Sequence, residues 1–139
     1  MAVIFALAEL GKKLGFPPES QEKAEKVMES GLSGLEAMRR AGVKVCLGTD
    51  LLGALHVHQS REFAIRSEVF TPLEILRQAT SIGAEMMMME GRLGCIKPGA
   101  FADLLVVDGD PLKDISLLAK GGPALRAIVR AGEVVKNEC

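Results

Sequence analysis

The 139-residue sequence has no tryptophan and no tyrosine, and aromatic residues, all of them phenylalanine, make up only 4% of it. Platforms that stack nucleic-acid bases and aromatic cages for cations therefore have almost no material to be built from. An excess of one charge is missing as well, because 17 Lys and Arg residues nearly balance 18 Asp and Glu residues. Without a basic stripe for phosphate backbones, we expect no nucleic-acid partner.

Cysteine and long apolar runs are also scarce. Cys46, Cys95 and Cys139 are far apart and odd in number, which argues against a disulfide framework and against a CxxC metal site. This usage fits a reducing compartment, so we expect a cytoplasmic location. The apolar run from Met1 is interrupted at Glu9, short of the roughly 20 residues that a membrane span needs. We expect this run to be a buried element and expect no membrane partner.

Two helices are predicted before residue 43. Apolar residues recur every three or four positions over residues 2–14, ending near Gly15, which predicts a helix; they are Ile4, Leu7, Leu10 and Leu14. An amphipathic pattern over residues 20–40 predicts a longer helix, with Ser20 as its N-cap and Gly42 just past its end. The apolar face of this helix comprises Ala24, Val27, Met28, Gly31, Leu35 and Met38.

A short strand and two further helices follow in the predicted order. Residues 43–47 are apolar and β-prone, which predicts a strand that leads into a loop at Asp50. Helices are predicted over residues 60–69 and 71–89, the second with Thr71 as N-cap, Pro72 at its first position and Glu74 closing a capping box. This alternation of helix, strand and loop is typical of an α/β fold.

Beyond residue 90, glycines and strand signals replace long helices. Residues 102–107 predict a strand, and residues 125–135 predict a hairpin that turns around Ala131-Gly132-Glu133. We therefore divide the chain into an α/β part, residues 1–90, and a smaller β-rich part, residues 91–139. The run of four methionines at residues 86–89 is interpreted as adaptable packing, and Cys46 as a small buried apolar residue.

Asp50 is the first candidate for a functional residue. It follows the carboxyl end of the predicted strand, which is where α/β folds place ligands and catalytic groups. A structural role remains open, since a loop aspartate often caps the next turn with its own side chain. The only histidines, His56 and His58, lie within eight residues of Asp50 and are open to three readings: substrate contacts, metal ligands or ordinary loop residues. On an extended segment they would point to opposite sides, which disfavours joint chelation.

Four segments in a fixed order resemble the C-terminal portion of the amidohydrolase superfamily, and within it the prolidase-like and imidazolonepropionase-like enzymes. They are residues 41–50, 70–80, 91–112 and 129–135. The resemblance implies an α/β fold in which residues 1–90 form the last helix–strand–helix units of a (β/α)8 metallohydrolase barrel. Residues 91–139 would then be strands of a small β-sandwich.

The same resemblance implies a metal-dependent hydrolase of C–N bonds in peptides or amides, Xaa-Pro dipeptides among them, with one or two zinc ions as cofactor. In such enzymes the aspartate after the eighth strand binds metal and takes the proton of the attacking water, a catalytic role that maps onto Asp50. His56 and His58 are then candidates for contacts to a small peptide or amide substrate.

Most of the family's metal ligands have no counterpart in this sequence. The HxH pair of the first strand, the bridging lysine or acid of the fourth and the histidines of the fifth and sixth are missing, and a complete barrel needs roughly 250 residues. We therefore expect a C-terminal fragment that is inactive alone and holds zinc weakly or not at all. An N-terminal half or further copies of the chain would cover the predicted strand at residues 43–47, which lacks its neighbours in the barrel. The alternative is a non-catalytic assembly or small-ligand-binding protein that reuses the barrel remnant.

Overall fold

The computed structural model describes residues 1–11, 13, 15–119 and 122–139. This part of the chain has a mixed helix and strand fold. Its helices are α1 (Ala2–Leu10), α2 (Pro18–Arg40), a 3₁₀ helix (Gly53–His58), α3 (Arg61–Ser67), α4 (Pro72–Ala79), α5 (Ser81–Met86) and α6 (Ser116–Ala119). Its strands are β1 (Leu104–Val107), β2 (Leu125–Arg130) and β3 (Glu133–Asn137). Leu14, one of the positions used to predict the first helix, lies outside the described residues.

The first predicted helix is confirmed but is shorter than expected, because α1 ends at Leu10. Gly11 closes the last turn by donating its N–H to the Leu7 carbonyl at 2.8 Å, and glycine is a poor residue with which to continue a helix. The alanines of α1 are buried, at 2%, 0% and 8% exposure for Ala2, Ala6 and Ala8. The interpretation of this apolar run as a buried element is therefore confirmed.

The second helix begins earlier than predicted, at Pro18. Proline suits the first helical position because the N–H that it lacks would have no partner there. Ser20 therefore lies inside the first turn, and its prediction as the N-cap is wrong. The predicted end is confirmed: Gly42 has φ 68°, and Val43 donates its N–H to the Met38 carbonyl at 3.0 Å. This bond and the left-handed glycine form a Schellman motif.

The strand predicted over residues 43–47 is wrong, because these residues belong to no strand in the structure. Leu47 donates its N–H to the Gln78 carbonyl at 3.0 Å, but among the described residues no strand pairs with this segment. A strand needs a neighbour that completes its hydrogen-bond ladder, and β-prone side chains alone cannot provide one. We call residues 43–49, which belong to no helix or strand, the open segment. Asp50 therefore follows this open segment and not the edge of a sheet.

The helix predicted over residues 71–89 is divided into α4 and α5. Its predicted start is confirmed, since Thr71 donates its N–H to Glu74 Oε2 at 2.8 Å and Glu74 donates its N–H to Thr71 Oγ1 at 3.4 Å. The division lies at Thr80, whose φ of −126° and ψ of −91° are not helical. Gly94 packs against this point so closely that a Cβ on it would lie 2.5 Å from the Thr80 carbonyl. This tertiary contact is not visible in the local sequence.

The three strands form one antiparallel sheet with β2 in the centre. Leu104 is opposite Val129 in the pairing of β1 with β2. The predicted hairpin is confirmed: its loop residues Ala131 and Gly132 both have positive φ, 51° and 85°, as a two-residue type I′ turn requires. The strand predicted over residues 102–107 is shorter by two residues at its start, where Asp103 instead accepts the Ala131 N–H through its side chain at 2.7 Å.

Two apolar clusters form the core. The first contains Ala2, Ala6, Leu51 and Ile65, and the second contains Leu35, Phe70, Ile75 and Ile115. Because the second cluster includes Ile115, the β-rich part packs on the helical part, although the boundary near residue 90 stays a prediction. Of the predicted apolar face of α2, Leu35 is buried, whereas Val27 and Met38 are exposed. None of the described helices is long and apolar enough to cross a membrane.

The interpretations of two sulfur-containing features are wrong. Met86, Met87 and Met88 are 64%, 60% and 87% exposed, so these three residues are not packed in the core, and Met89 is half-buried. Helix α5 ends at Met86, and the residues after it lie on no helix face that could meet a core. Cys46 is half-buried rather than buried, and its Sγ lies 3.1 Å from Met86 Sδ.

Candidate functional site

Asp50 lies at the end of the open segment, with a backbone conformation that side chains rarely adopt. Its φ is 55°, a left-handed value that aspartate tolerates better than most residues but that still costs about 1–2 kcal/mol. The residues on either side hold this conformation: the Thr49 carbonyl accepts the Val3 N–H at 3.2 Å, and Leu51 is buried at 4% exposure. The Asp50 carboxylate itself is exposed on this anchored backbone.

The two histidines lie on the 3₁₀ helix that follows Asp50, where His56 is exposed and His58 is half-buried. His58 lies near an ion pair between α1 and α3, in which Arg61 donates to Glu9 Oε1 at 2.6 Å. This hydrogen bond lowers the pKa of the Glu9 carboxyl, with a smaller electrostatic contribution from His58. It also raises the pKa of Arg61. His58 therefore lies close enough to Glu9 to act on its carboxyl.

The candidate residues do not form a metal site by themselves. Among the residues that the structure describes, no group of three or more His, Cys, Asp or Glu side chains converges so as to hold an ion. A hydrolytic metal needs three or four protein ligands and an open position, whereas Asp50 offers one carboxylate. The residues present therefore do not fit the zinc ion or ions that the sequence resemblance implies.

A cavity of about 280 Å³ opens beside the open segment. Its wall is mostly apolar and includes Phe63, Leu105 and Leu118, while Thr49, Gln59 and Ser60 supply its polar groups. Apolar walls with a few polar groups are typical of small-molecule sites. Asp50 is not among the residues that line this cavity, although its neighbour Thr49 is.

Sequence reasoning missed a buried polar network around Glu62, which is 0% exposed. Glu62 Oε2 accepts the Ala2 N–H at 2.6 Å and lies 3.2 Å from the Met1 ammonium nitrogen, while Oε1 accepts from Arg66 Nε at 2.7 Å. Arg66 also donates through its Nη1 to Gln78 Oε1 at 2.5 Å. The one available signal was the i,i+4 spacing of Glu62 and Arg66 on a predicted helix. That spacing is typical of solvated pairs and does not indicate burial.

Comparison with known proteins relates the chain to one protein family over nearly its whole length. A model described as the amidohydrolase family matches residues 4–135. The chain is 31% identical over 119 residues to a 5-methylthioadenosine/S-adenosylhomocysteine deaminase of Symbiobacterium thermophilum, covering 77% of the chain and 26% of that protein. It is 27% identical over 128 residues to an ochratoxinase of Aspergillus niger, covering 88% and 26% respectively.

A solved structure shares the fold over nearly the whole chain. It is a prolidase complexed with N-methylphosphonate-L-proline, to which the chain is 46% identical with a TM-score of 0.90. The match covers 96% of the chain and 33% of the prolidase. The chain thus spans about a quarter of the length of the curated relatives and about a third of that solved structure.

Proposed function

The chain belongs to the amidohydrolase family, and we propose that it serves in a metal-dependent hydrolase of C–N bonds in peptides or amides. The match to a prolidase at 46% identity carries this proposal. It favours an Xaa-Pro dipeptide as substrate. The match to a deaminase supports the coarser class, because deamination also breaks a C–N bond. A reducing compartment such as the cytoplasm suits a chain whose three cysteines are free.

We propose that Asp50 is one ligand and catalytic carboxylate of a site whose other ligands come from outside this chain. The anchored backbone and exposed carboxylate of Asp50 support this role. Since the described residues hold no complete metal site, the chain alone is proposed to be inactive. His56 and His58 are proposed to contact the substrate from the 3₁₀ helix, so that their alanine variants raise KM in the completed enzyme.

A partner that covers the open segment is part of the same proposal. Val43, Leu52 and Val57 are 53%, 76% and 78% exposed, and no strand pairs with residues 43–47 in the part of the chain that is described. A segment without a neighbouring strand, next to exposed apolar side chains, favours association with another chain. The partner is either an N-terminal half or further copies of this chain. Light scattering at micromolar concentration distinguishes a monomer from a homo-oligomer.

Metal analysis and complementation test the proposal. The chain alone should bind clearly less than one equivalent of zinc and should not hydrolyse an Xaa-Pro dipeptide. Co-expression with the N-terminal two thirds of the related prolidase should restore both properties. Asp50→Asn should abolish the restored activity, whereas Asp108→Asn is the matched control, because the exposed Asp108 pairs only loosely with Arg126, at 4.0 Å. Stoichiometric zinc on the chain alone, lost with Asp50→Ala, would contradict an incomplete site.

The second candidate is a non-catalytic assembly or small-ligand-binding protein. Two observations favour it: no metal-binding group is found among the described side chains, and a cavity of about 280 Å³ lies beside Thr49. In this case complementation restores no zinc and no hydrolysis. Asp50→Asn would then leave folding and ligand binding unchanged.

A further inference from the structure

The backbone before Asp50 is held from two sides by hydrogen bonds to distant parts of the chain. On one side, Leu47 donates its N–H to the backbone carbonyl of Gln78 in α4 at 3.0 Å. On the other, the Thr49 carbonyl accepts the N–H of Val3 in α1 at 3.2 Å. The two residues that hold the backbone before Asp50, Leu47 and Thr49, are therefore bound to two different helices.

The same two helices are joined to each other through the buried network around Glu62. The Ala2 N–H, next to Val3, is bound by Glu62 Oε2. Glu62 Oε1 accepts from Arg66, and Arg66 donates to the side-chain oxygen of Gln78. The network therefore returns to the residue whose carbonyl holds Leu47. The hydrogen bonds and the chain between them form a closed circuit around the segment that leads to Asp50.

Burial makes this circuit rigid. Glu62, Arg66 and Gln78 are 0%, 4% and 4% exposed, so water cannot easily replace any of their partners, and a broken link leaves a buried polar group unpaired. The two oxygens of Glu62 bind different partners, which fixes the orientation of the carboxylate. A left-handed residue other than glycine persists only where its surroundings over-determine it. Asp50 has such a conformation, with φ 55°, and directly follows the segment that the circuit encloses.

We propose that Glu62, Arg66 and Gln78 are positioning residues that set the backbone conformation of Asp50 through this circuit. The inference rests on the proposed role of Asp50, but its test needs neither metal nor substrate. A buried ion pair is seldom more stabilising than apolar residues of the same size. Glu62 and Arg66 can therefore serve a role other than stability, and placement of the segment before Asp50 is such a role.

Amide hydrogen exchange on the isotope-labelled full chain tests the circuit. Gln78→Met removes the acceptor of Arg66 but keeps the backbone carbonyl that binds Leu47. If the circuit acts as a unit, the substitution should speed exchange at both Leu47 and Val3 about tenfold, as expected for loss of one buried hydrogen bond. Exchange in the central strand β2 should change much less. The Asp50 backbone chemical shifts should also move away from left-handed values. Val3 is the decisive amide, because its hydrogen-bond acceptor is Thr49 and not Gln78.

Matched variants separate positioning from general stability. Gln78→Glu restores an oxygen acceptor and should return Leu47 and Val3 to within about twofold of the original exchange rates. Gln21→Met, which removes another buried glutamine outside the circuit (8% exposed), should change neither amide relative to β2. Glu62→Gln provides a second break in the circuit, because an NH2 group, which cannot accept a hydrogen bond, replaces one of the two oxygens that face Ala2 and Arg66.

Two results would overturn the inference. One is a uniform change of exchange rates across Leu47, Val3 and β2, which indicates lost stability only. The other is a change at Leu47 without a change at Val3 or in the Asp50 shifts, which indicates a local effect of Gln78. Failure of zinc binding and hydrolysis in the complemented enzyme would instead remove the proposed function and leave the exchange result intact.

Discussion

Glu74 provides the clearest prediction about stability, because its carboxylate connects two helices and its pKa is strongly lowered. Glu74 Oε1 accepts from Arg39 Nε of α2 at 3.0 Å, and Oε2 accepts the Thr71 N–H and hydroxyl at 2.8 Å each. These contacts, the Arg39 hydrogen bond first and the Thr71 bonds next, lower the pKa of the Glu74 carboxyl from 4.5 to about 2. The ionised carboxylate therefore stabilises the folded state.

The magnitude follows from the lowered pKa and from the exposure of the pair. At 1.36 kcal/mol per pKa unit, the lowering of the Glu74 pKa from 4.5 to about 2 corresponds to about 3 kcal/mol of folding free energy without solvent screening. The Arg39 and Glu74 side chains are 42% and 36% exposed, so screening reduces the contribution to about 1 kcal/mol. Because the folded-state pKa is the lower one, this stability is present above about pH 4.5 and is lost as the pH falls through about 2.

Urea unfolding of the original chain and of Glu74→Gln, measured from pH 6 to pH 2, tests this reasoning. Glutamine keeps the helix-capping acceptor for Thr71 but cannot pair with the charge of Arg39. The variant should be less stable by about 1 kcal/mol at pH 6, and the gap should close at about pH 2. Arg39→Gln, alone and combined with Glu74→Gln, is the control, and the two changes should be less than additive. A gap that stays constant down to pH 2 would refute the assignment to an ionised carboxylate.

Two pairs of substitutions test packing by the same unfolding measurement. Gly94→Ala forces a Cβ to 2.5 Å from the Thr80 carbonyl at φ 66° and should cost more than about 3 kcal/mol, whereas Gly99→Ala, with φ 86° and open space around it, should cost only the backbone strain of about 1–2 kcal/mol. Equal losses for the two glycines would contradict the close contact. Ile75→Ala removes a side chain that is 0% exposed and should cost about 2–5 kcal/mol. Leu73→Ala, at a position 47% exposed, should cost less than 1 kcal/mol, and a similar loss at both positions would argue against Ile75 as a core residue.

Features encoded within a few neighbouring residues were predictable from the sequence. The capping box of Thr71 and Glu74, the left-handed Gly42 and the Ala131-Gly132 turn all form as expected, because each depends on residues at most five positions apart. The family was predictable for a related reason. Its motifs are local segments in a fixed order, and the order could be recognised without any three-dimensional information.

Features that depend on distant partners were not predictable. The segment at residues 43–47 has β-prone side chains, but a strand forms only where another strand completes its ladder. The division of the predicted helix at Thr80 coincides with the close approach of Gly94. Methionines 86–88 have the composition of an apolar helical turn. However, α5 ends at Met86, and all three side chains are exposed. In each case the outcome depends on which part of the chain lies opposite.

The site shows this difference most clearly. Asp50 was identified from its position after an apolar run, but nothing near it in sequence determines how its backbone is held. The contact between Ala2 and Glu62 joins residues 60 positions apart. From the local sequence alone, Glu62 would be predicted to be an exposed partner of Arg66. A charged residue is almost never fully buried without a specific partner, so its burial could be inferred only from the fold. The conformation of Asp50 should therefore be more sensitive to changes at Glu62 and Gln78 than to changes in the adjacent 3₁₀ helix.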